Sequence, residues 1–383
     1  MSKIGYMICG HGSRSKSAET EFALLAKGLR NRFPDIPVEY GFLEYSAPNI
    51  HMGLNALRDA GIEEIVAVPG MLFAATHAKS DIPSVLTTYQ EANPGISIKY
   101  GRELGLHPQM IAAFEARILQ ALGKDHVHQG ELYDTMLVVV GRGTSDTLAN
   151  AEAARLTRIV TENLGFGWSE TVYSGVTFPS VGRGLEMALK LGFKRVVVAP
   201  YFLFSGRLID RIYNYVDRVA AGHPDVEFFK AHYLSDQDHV IDTFVERINE
   251  AKTGIVNSEH DLMASFKSRL ARGEVEVHHH HAEFRDPHDD EALENHTHDH
   301  ENSAEGHGDH SHDNHGHDHH HHGHHHHHSH GIYKHIAHPN GPRTMIDENV
   351  CCCFMSQFPD EVVEEERRLR AENVEAGKAD EPV

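Results

Sequence analysis

The chain has 383 residues, with 35 Lys+Arg against 56 Asp+Glu and a formal net charge of −21. That length holds two domains with ample cores, and the acidic balance argues against a nucleic-acid partner, whose phosphates need a basic surface. No apolar run approaches the roughly 18–20 residues of a membrane span, and four Cys, three of them consecutive, make no disulfide framework, so a reducing cytoplasm is expected.

Taken in chain order, the first residues read as a strand broken by Gly rather than as a signal peptide. β-Branched and apolar runs predict strands at 4–9, 37–43, 64–69, 97–101, 135–141, 171–177, 195–200 and 226–230. Between them, helical periodicity marks 18–32, 49–60, 109–122, 148–163, 184–191 and 209–221. Strands alternating with helices predict an α/β fold, with parallel sheets covered by helices on both faces.

The body repeats itself at an offset of about 130 residues, the size of a domain. Residues 4–14 are answered by 136–146, Val66–Phe73 by Val198–Phe204, and Ile111–Ile118 by Ile241–Ile248. The copies part at three places: His11 is answered by Arg142, Glu44 by Phe178, and His77 by Leu208. Two imidazoles and a carboxylate lost together are expected to have worked together. Each falls at or just after a predicted strand, and ligands in such sheets sit beyond the carboxyl ends of strands.

His11 lies in Cys9-Gly10-His11-Gly12-Ser13-Arg14, a strand-to-helix turn that leaves the imidazole reachable, with a phosphate cradle carrying an incidental His as the lesser alternative. His77 follows Leu72-Phe73-Ala74-Ala75-Thr76, and a lone His in such a place is often structural. Glu44 follows an apolar strand and could be a plain surface charge. Two neutral imidazoles and a carboxylate would suit a first-row divalent ion and leave positions open for exchange.

Beyond residue 250 the pattern changes. Residues 251–277 are expected to form one more helix. Residues 278–330 hold 23 of the 35 His, together with 12 Asp+Glu and one Arg. Too few apolar residues are present to offset the entropy of ordering, so disorder is expected, with metal reservoir or delivery arm as the chemical reading. The tail, 331–383, carries Cys351, Cys352 and Cys353. Adjacent thiols fit one tetrahedral zinc poorly, leaving iron–sulfur ligation or thiol redox open.

Several motifs in order resemble the CbiX group of class II chelatases, sirohydrochlorin cobaltochelatases related to sirohydrochlorin ferrochelatases. They are the Cys-Gly-His-Gly-Ser-Arg turn, the Phe-Leu-Glu-(x)3-Pro segment, the Pro-x-x-Leu-x-x-x-x-His-(x)3-Asp-Ile-Pro segment and the later Gly-Arg-Gly-Thr-Ser-Asp. The resemblance covers roughly residues 1–250. It implies two similar Rossmann- or flavodoxin-like domains, at 1–125 and 130–255, facing a central cleft, with the active site in the first.

By that resemblance His11 would be metal ligand and base, His77 the second ligand, and Glu44 an aid to metal binding or deprotonation. Ser46, Ala47 and the segment Leu72, Phe73, Ala74, Ala75, Thr76 and His77 would line the tetrapyrrole. The long form of the group carries a His-rich region and a Cys motif holding an iron–sulfur cluster. Here Cys351–Cys353 departs from the spaced Met-x-Cys-x-x-Cys pattern. The implied reaction is insertion of Co2+, as substrate, into sirohydrochlorin in cobalamin biosynthesis, without a nucleotide, since no P-loop pattern occurs. Iron insertion and metal storage are the rival readings. Sirohydrochlorin bears eight carboxylates, so Arg14, Lys16, Lys79, Arg142 and Arg207 are rim candidates, though an ordinary surface charge is the favoured reading of each taken singly.

Overall fold

Strand and helix alternate through the computed structural model, which describes residues 3–13, 15–254, 261–275 and 277. Strands β1 (Ile4–Gly10), β2 (Val38–Phe42), β3 (Glu64–Pro69) and β4 (Ser97–Tyr100) form one sheet in the order β2-β1-β3-β4. Strands β5 (Thr135–Gly141), β6 (Trp168–Tyr173), β7 (Arg195–Pro200) and β8 (Glu227–Lys230) form a second in the order β6-β5-β7-β8. Every pairing is parallel. The central strands β1, β3, β5 and β7 are buried almost end to end, as their unbroken apolar runs require when both faces are covered.

The helices are α1 (Lys16–Arg32), α2 (Ile50–Asp59), α3 (Ile82–Ala92), α4 (Pro108–Ala121), α5 (Thr147–Leu164), α6 (Val181–Lys190), α7 (Arg207–Gly222), α8 (Asp238–Thr253) and α9 (Leu262–Ala271). Helical periodicity does not mark α3, because Ile82 to Leu86 are buried without a break and show no polar face. The single helix expected over 251–277 is instead the end of α8 and the shorter α9, whose start is capped by Asp261 accepting from the Ala264 N–H at 2.9 Å. No described helix is long and apolar enough to cross a membrane.

The last helix of each half crosses to the other. α8 packs on β3 and β4 of the first sheet, while α4 packs on β7 and α5 of the second. One hydrophobic cluster therefore runs through both halves, joining Phe22, Val68 and Phe114 to Val139, Tyr201 and Phe244. Separate clusters cover the two outer faces. The exchange is fastened by a matched pair of arginines. Arg117 of α4 donates to the Leu234 carbonyl at 3.0 Å, and Arg247 of α8 donates to the Leu104 carbonyl at 2.7 Å. Arg247 is only 3% exposed and also holds both oxygens of Glu250 at 2.8 Å.

One strand is displaced from its sequence-based span. The apolar run of 171–177 suggested the strand there, but β6 covers Trp168–Tyr173, and Ser174–Phe178 form a loop. The repeat register shifts accordingly. Gly12, at φ 97°, leaves its missing Cβ position 1.7 Å from the Glu44 carbonyl oxygen; Gly143, at φ 83°, leaves its own 1.8 Å from the Gly175 oxygen. No side chain fits at either glycine. Tyr45 and Val176 share a left-handed backbone at φ 61° and 66°. The counterpart of Glu44 is thus Gly175, and not Phe178 as the motif alignment suggested.

Arg247→Ala leaves the buried Leu104 carbonyl without its donor and should cost about 2–3 kcal/mol of stability in urea denaturation. Arg117→Ala should cost less, because Arg117 is more open to water. Unchanged midpoints in both would mean that apolar packing alone holds the exchanged helices.

Candidate metal centre

The strand order places the site. β1 pairs with β2 on one side and β3 on the other, and the connections from β1 and β3 run in opposite directions. That switch point opens a crevice beyond the carboxyl ends of the two strands. His11 follows β1 directly, and His77 follows β3 after the seven-residue segment Gly70–Thr76. Their rings meet edge to face, with centroids 4.4 Å apart.

Hydrogen bonds fix both imidazole tautomers. His11 Nδ1 lies 3.0 Å from the Gly12 carbonyl, and His77 Nδ1 lies 2.6 Å from Asp81 Oδ2. Carbonyls and carboxylates only accept, so each Nδ1 donates. In the neutral ring Nε2 then keeps its lone pair, the form a divalent ion binds. Burial, the Arg142 guanidinium and His77 push the His11 pKa down to about 3. Its ring is therefore neutral at neutral pH.

His77 owes its position to Pro83. Residues His77–Asp81 form a π-turn in which the Ile82 N–H reaches back five residues to the His77 carbonyl. Pro83 has no N–H to give the Lys79 carbonyl four residues earlier. Arg269 of α9 supplies one instead, donating to the Lys79 carbonyl and to Ser80 Oγ at 3.3 Å. Lys79 itself pairs with Asp146, the residue that caps α5 in the second half.

Glu44 sits beside His11, its N–H donating to the His11 carbonyl at 3.0 Å. Its carboxylate acts electrostatically on Arg142. Among the described residues no three His, Cys, Asp or Glu side chains converge as a metal cluster. The two imidazoles are the pair brought together, while Glu44 is tied to His11 through its backbone. Ser46 is buried, and its hydroxyl both accepts from the Ser13 N–H at 2.9 Å and donates to the Ser13 carbonyl at 2.8 Å. That ties the His11 turn to the loop after β2, which also carries Ala47. Leu72, Phe73, Ala74, Ala75 and Thr76 are all half-buried, and Phe73 meets Tyr201 of the second half at 5.5 Å.

Arg14, the His-rich stretch 278–330, the tail 331–383 and its Cys351, Cys352 and Cys353 lie outside the described residues. Two residues that shape the site escaped the sequence reading. Asp81 stands four residues after His77, so its signal was present as a helical i,i+4 pair. Arg269 carried none, since only tertiary packing brings α9 to the turn.

The CbiX family model matches residues 5–121 and again 136–251. A sirohydrochlorin cobaltochelatase of Priestia megaterium is 34% identical over 256 residues, spanning 67% of this chain and 82% of that protein. A sirohydrochlorin ferrochelatase of the same organism is 29% identical over 250 residues, spanning 64% and 90%. Among solved structures, SirB from Bacillus subtilis with Fe3+ superposes with a TM-score of 0.58 at 26% identity, covering 68% of this chain and 99% of that one.

Asp81→Asn should leave the fold intact and weaken metal capture about 10–100-fold, read as a rise in the KM for metal. An unchanged KM would mean that His77 needs no orienting carboxylate. Arg269→Met should speed amide hydrogen exchange at residues 77–84 while leaving that of β1 and β5 unchanged. Uniform exchange across the chain would show that α9 does not brace the turn.

Proposed function

We propose that this chain, which belongs to the CbiX family, inserts Co2+ into sirohydrochlorin. By family it is a sirohydrochlorin chelatase and hence a metal chelatase. The observation that carries the reading further is the His11–His77 contact, two imidazoles at a strand switch point with both Nε2 lone pairs free of intramolecular bonds to their own turn. In this reading His11 and His77 hold the incoming ion on one side of the macrocycle, and Glu44 adds a negative charge beside it. The segment Leu72–His77 and Ala47 line the tetrapyrrole, and Ser46 holds the loop in place.

Metal insertion removes two pyrrole protons, and the ion itself acidifies them. The low proton affinity of His11 suits a ligand and weighs against its service as the base. Glu44 is the acceptor this reading assigns. Cobalt is favoured because the relative matched at the higher identity is a cobaltochelatase, and because an imidazole pair suits later first-row ions. Iron is the second reading, favoured by the ferrochelatase relative and the Fe3+-bound neighbour.

The test is anaerobic absorbance of the full chain with sirohydrochlorin and either Co2+ or Fe2+. Faster metallation with Co2+, reduced on the order of a hundredfold or more in His11→Ala, is the expected result. A preference for Fe2+ would move the chain to ferrochelatase chemistry. No acceleration with either ion would sink the chelatase reading.

A further inference from the structure

The turn that carries His77 is held from several directions, and one hold comes from the other half. Within His77–Asp81 the Ala78 carbonyl accepts from the Tyr100 hydroxyl at 3.1 Å, and the Lys79 carbonyl accepts from Arg269 of α9. The Lys79 side chain instead runs to Asp146, beyond the carboxyl end of β5. The two side chains are 28% and 15% exposed, so water screens the pair only in part. Asp146 is a fixed acceptor. Its Oδ1 accepts from the Leu148 N–H at 3.0 Å and the Ala149 N–H at 3.3 Å, and its own N–H donates to Thr144 Oγ1 at 3.2 Å. Thr144 is in turn bound both ways to Asn150: its N–H donates to Asn150 Oδ1 at 3.0 Å, and Asn150 Nδ2 donates to its carbonyl at 2.6 Å. The second carboxylate oxygen, Oδ2, meets Lys79.

The scaffold itself does not demand this pair, as the duplication shows. Counting from His77 and Leu208, Lys79 is answered by Asp210; as the residue ahead of its helix, Asp146 is answered by Ser15. An aspartate and a serine make no ion pair, and α7 starts directly as an α-helix at Arg207. Of the two matched places, the strap stands at the one whose turn carries an imidazole. Charge gives a second reason for it. An ammonium two residues from a metal ligand repels an arriving dication unless its own charge is met. Asp146 meets that charge and ties the turn to the second half.

Building on the chelatase reading, we propose that Asp146 is a positioning residue for the metal site: through Lys79 it holds the His77 turn against the second half, and so fixes where His77 meets His11. The half without metal ligands thus takes part in ion capture without touching the ion.

The test uses the full chain as wild type, Asp146→Asn, Lys79→Met, the double variant and Lys79→Arg. Asn accepts at a helix start about as well as Asp, so Asp146→Asn keeps the α5 cap and removes only the charge. Sirohydrochlorin is metallated with Co2+ or Fe2+, whichever wild type prefers. Asp146→Asn and Lys79→Met should each raise the KM for metal about tenfold with kcat little changed. The double variant should be no worse than either single one, because the two side chains act as one pair. Lys79→Arg, which keeps the charge, should recover most of the loss. A lower urea midpoint with an unchanged KM would show a purely structural bridge. Tighter metal capture by Lys79→Met than by wild type would show that only the charge of Lys79 matters; either result overturns the proposal. On the metal-free chain, amide hydrogen exchange at residues 77–82 should quicken in Asp146→Asn and Lys79→Met, and exchange equal to wild type would overturn it too. If wild type metallates sirohydrochlorin and Asp146→Asn keeps the wild-type KM, this inference fails alone. If wild type metallates with neither ion, the chelatase reading falls, and the exchange measurement still decides whether Asp146 holds the turn.

Discussion

β1 and β3 lie side by side and run the same way, and the chemistry of the site depends on that pairing. Because the chain leaves these two strands in opposite directions, their ends cannot be covered by a connection. Two histidines that are 66 positions apart in sequence come to share an edge-to-face contact there. Everything else around them is orientation: Gly12 for His11, Asp81 for His77, and Ser46 for the loop between them.

The parallel sheets were legible because their central strands are apolar on both faces, and runs such as Val196-Val197-Val198-Ala199 allow little else. β6 was misplaced because Trp168, Ser169 and Glu170 form an edge strand of mixed polarity, while the β-branched residues after them form a loop. The same slip produced the wrong counterpart for Glu44. His11 and His77 were legible through what the second copy lacks. The brace at Arg269 was not, since a hydrogen bond to a carbonyl left bare by proline leaves no trace in local pattern.

The two halves are alike in backbone and unlike in charge. At one strand end stands a ring that burial keeps neutral; at its counterpart stands a guanidinium.

The arginine pair that fastens α4 and α8 bears on how such a chain can change over time. Arg117 grips a carbonyl of the second half, and Arg247 grips the matching carbonyl of the first. Neither half can drift at these points without loosening the other, so the duplication stays readable in the two Arg-Ile pairs of the helices. The segments after the strands are tied across the halves by side chains alone, Lys79 to Asp146 and Phe73 to Tyr201. Side-chain ties tolerate exchange of the residues beside them, and it is there, at His11 against Arg142 and His77 against Leu208, that the two copies differ.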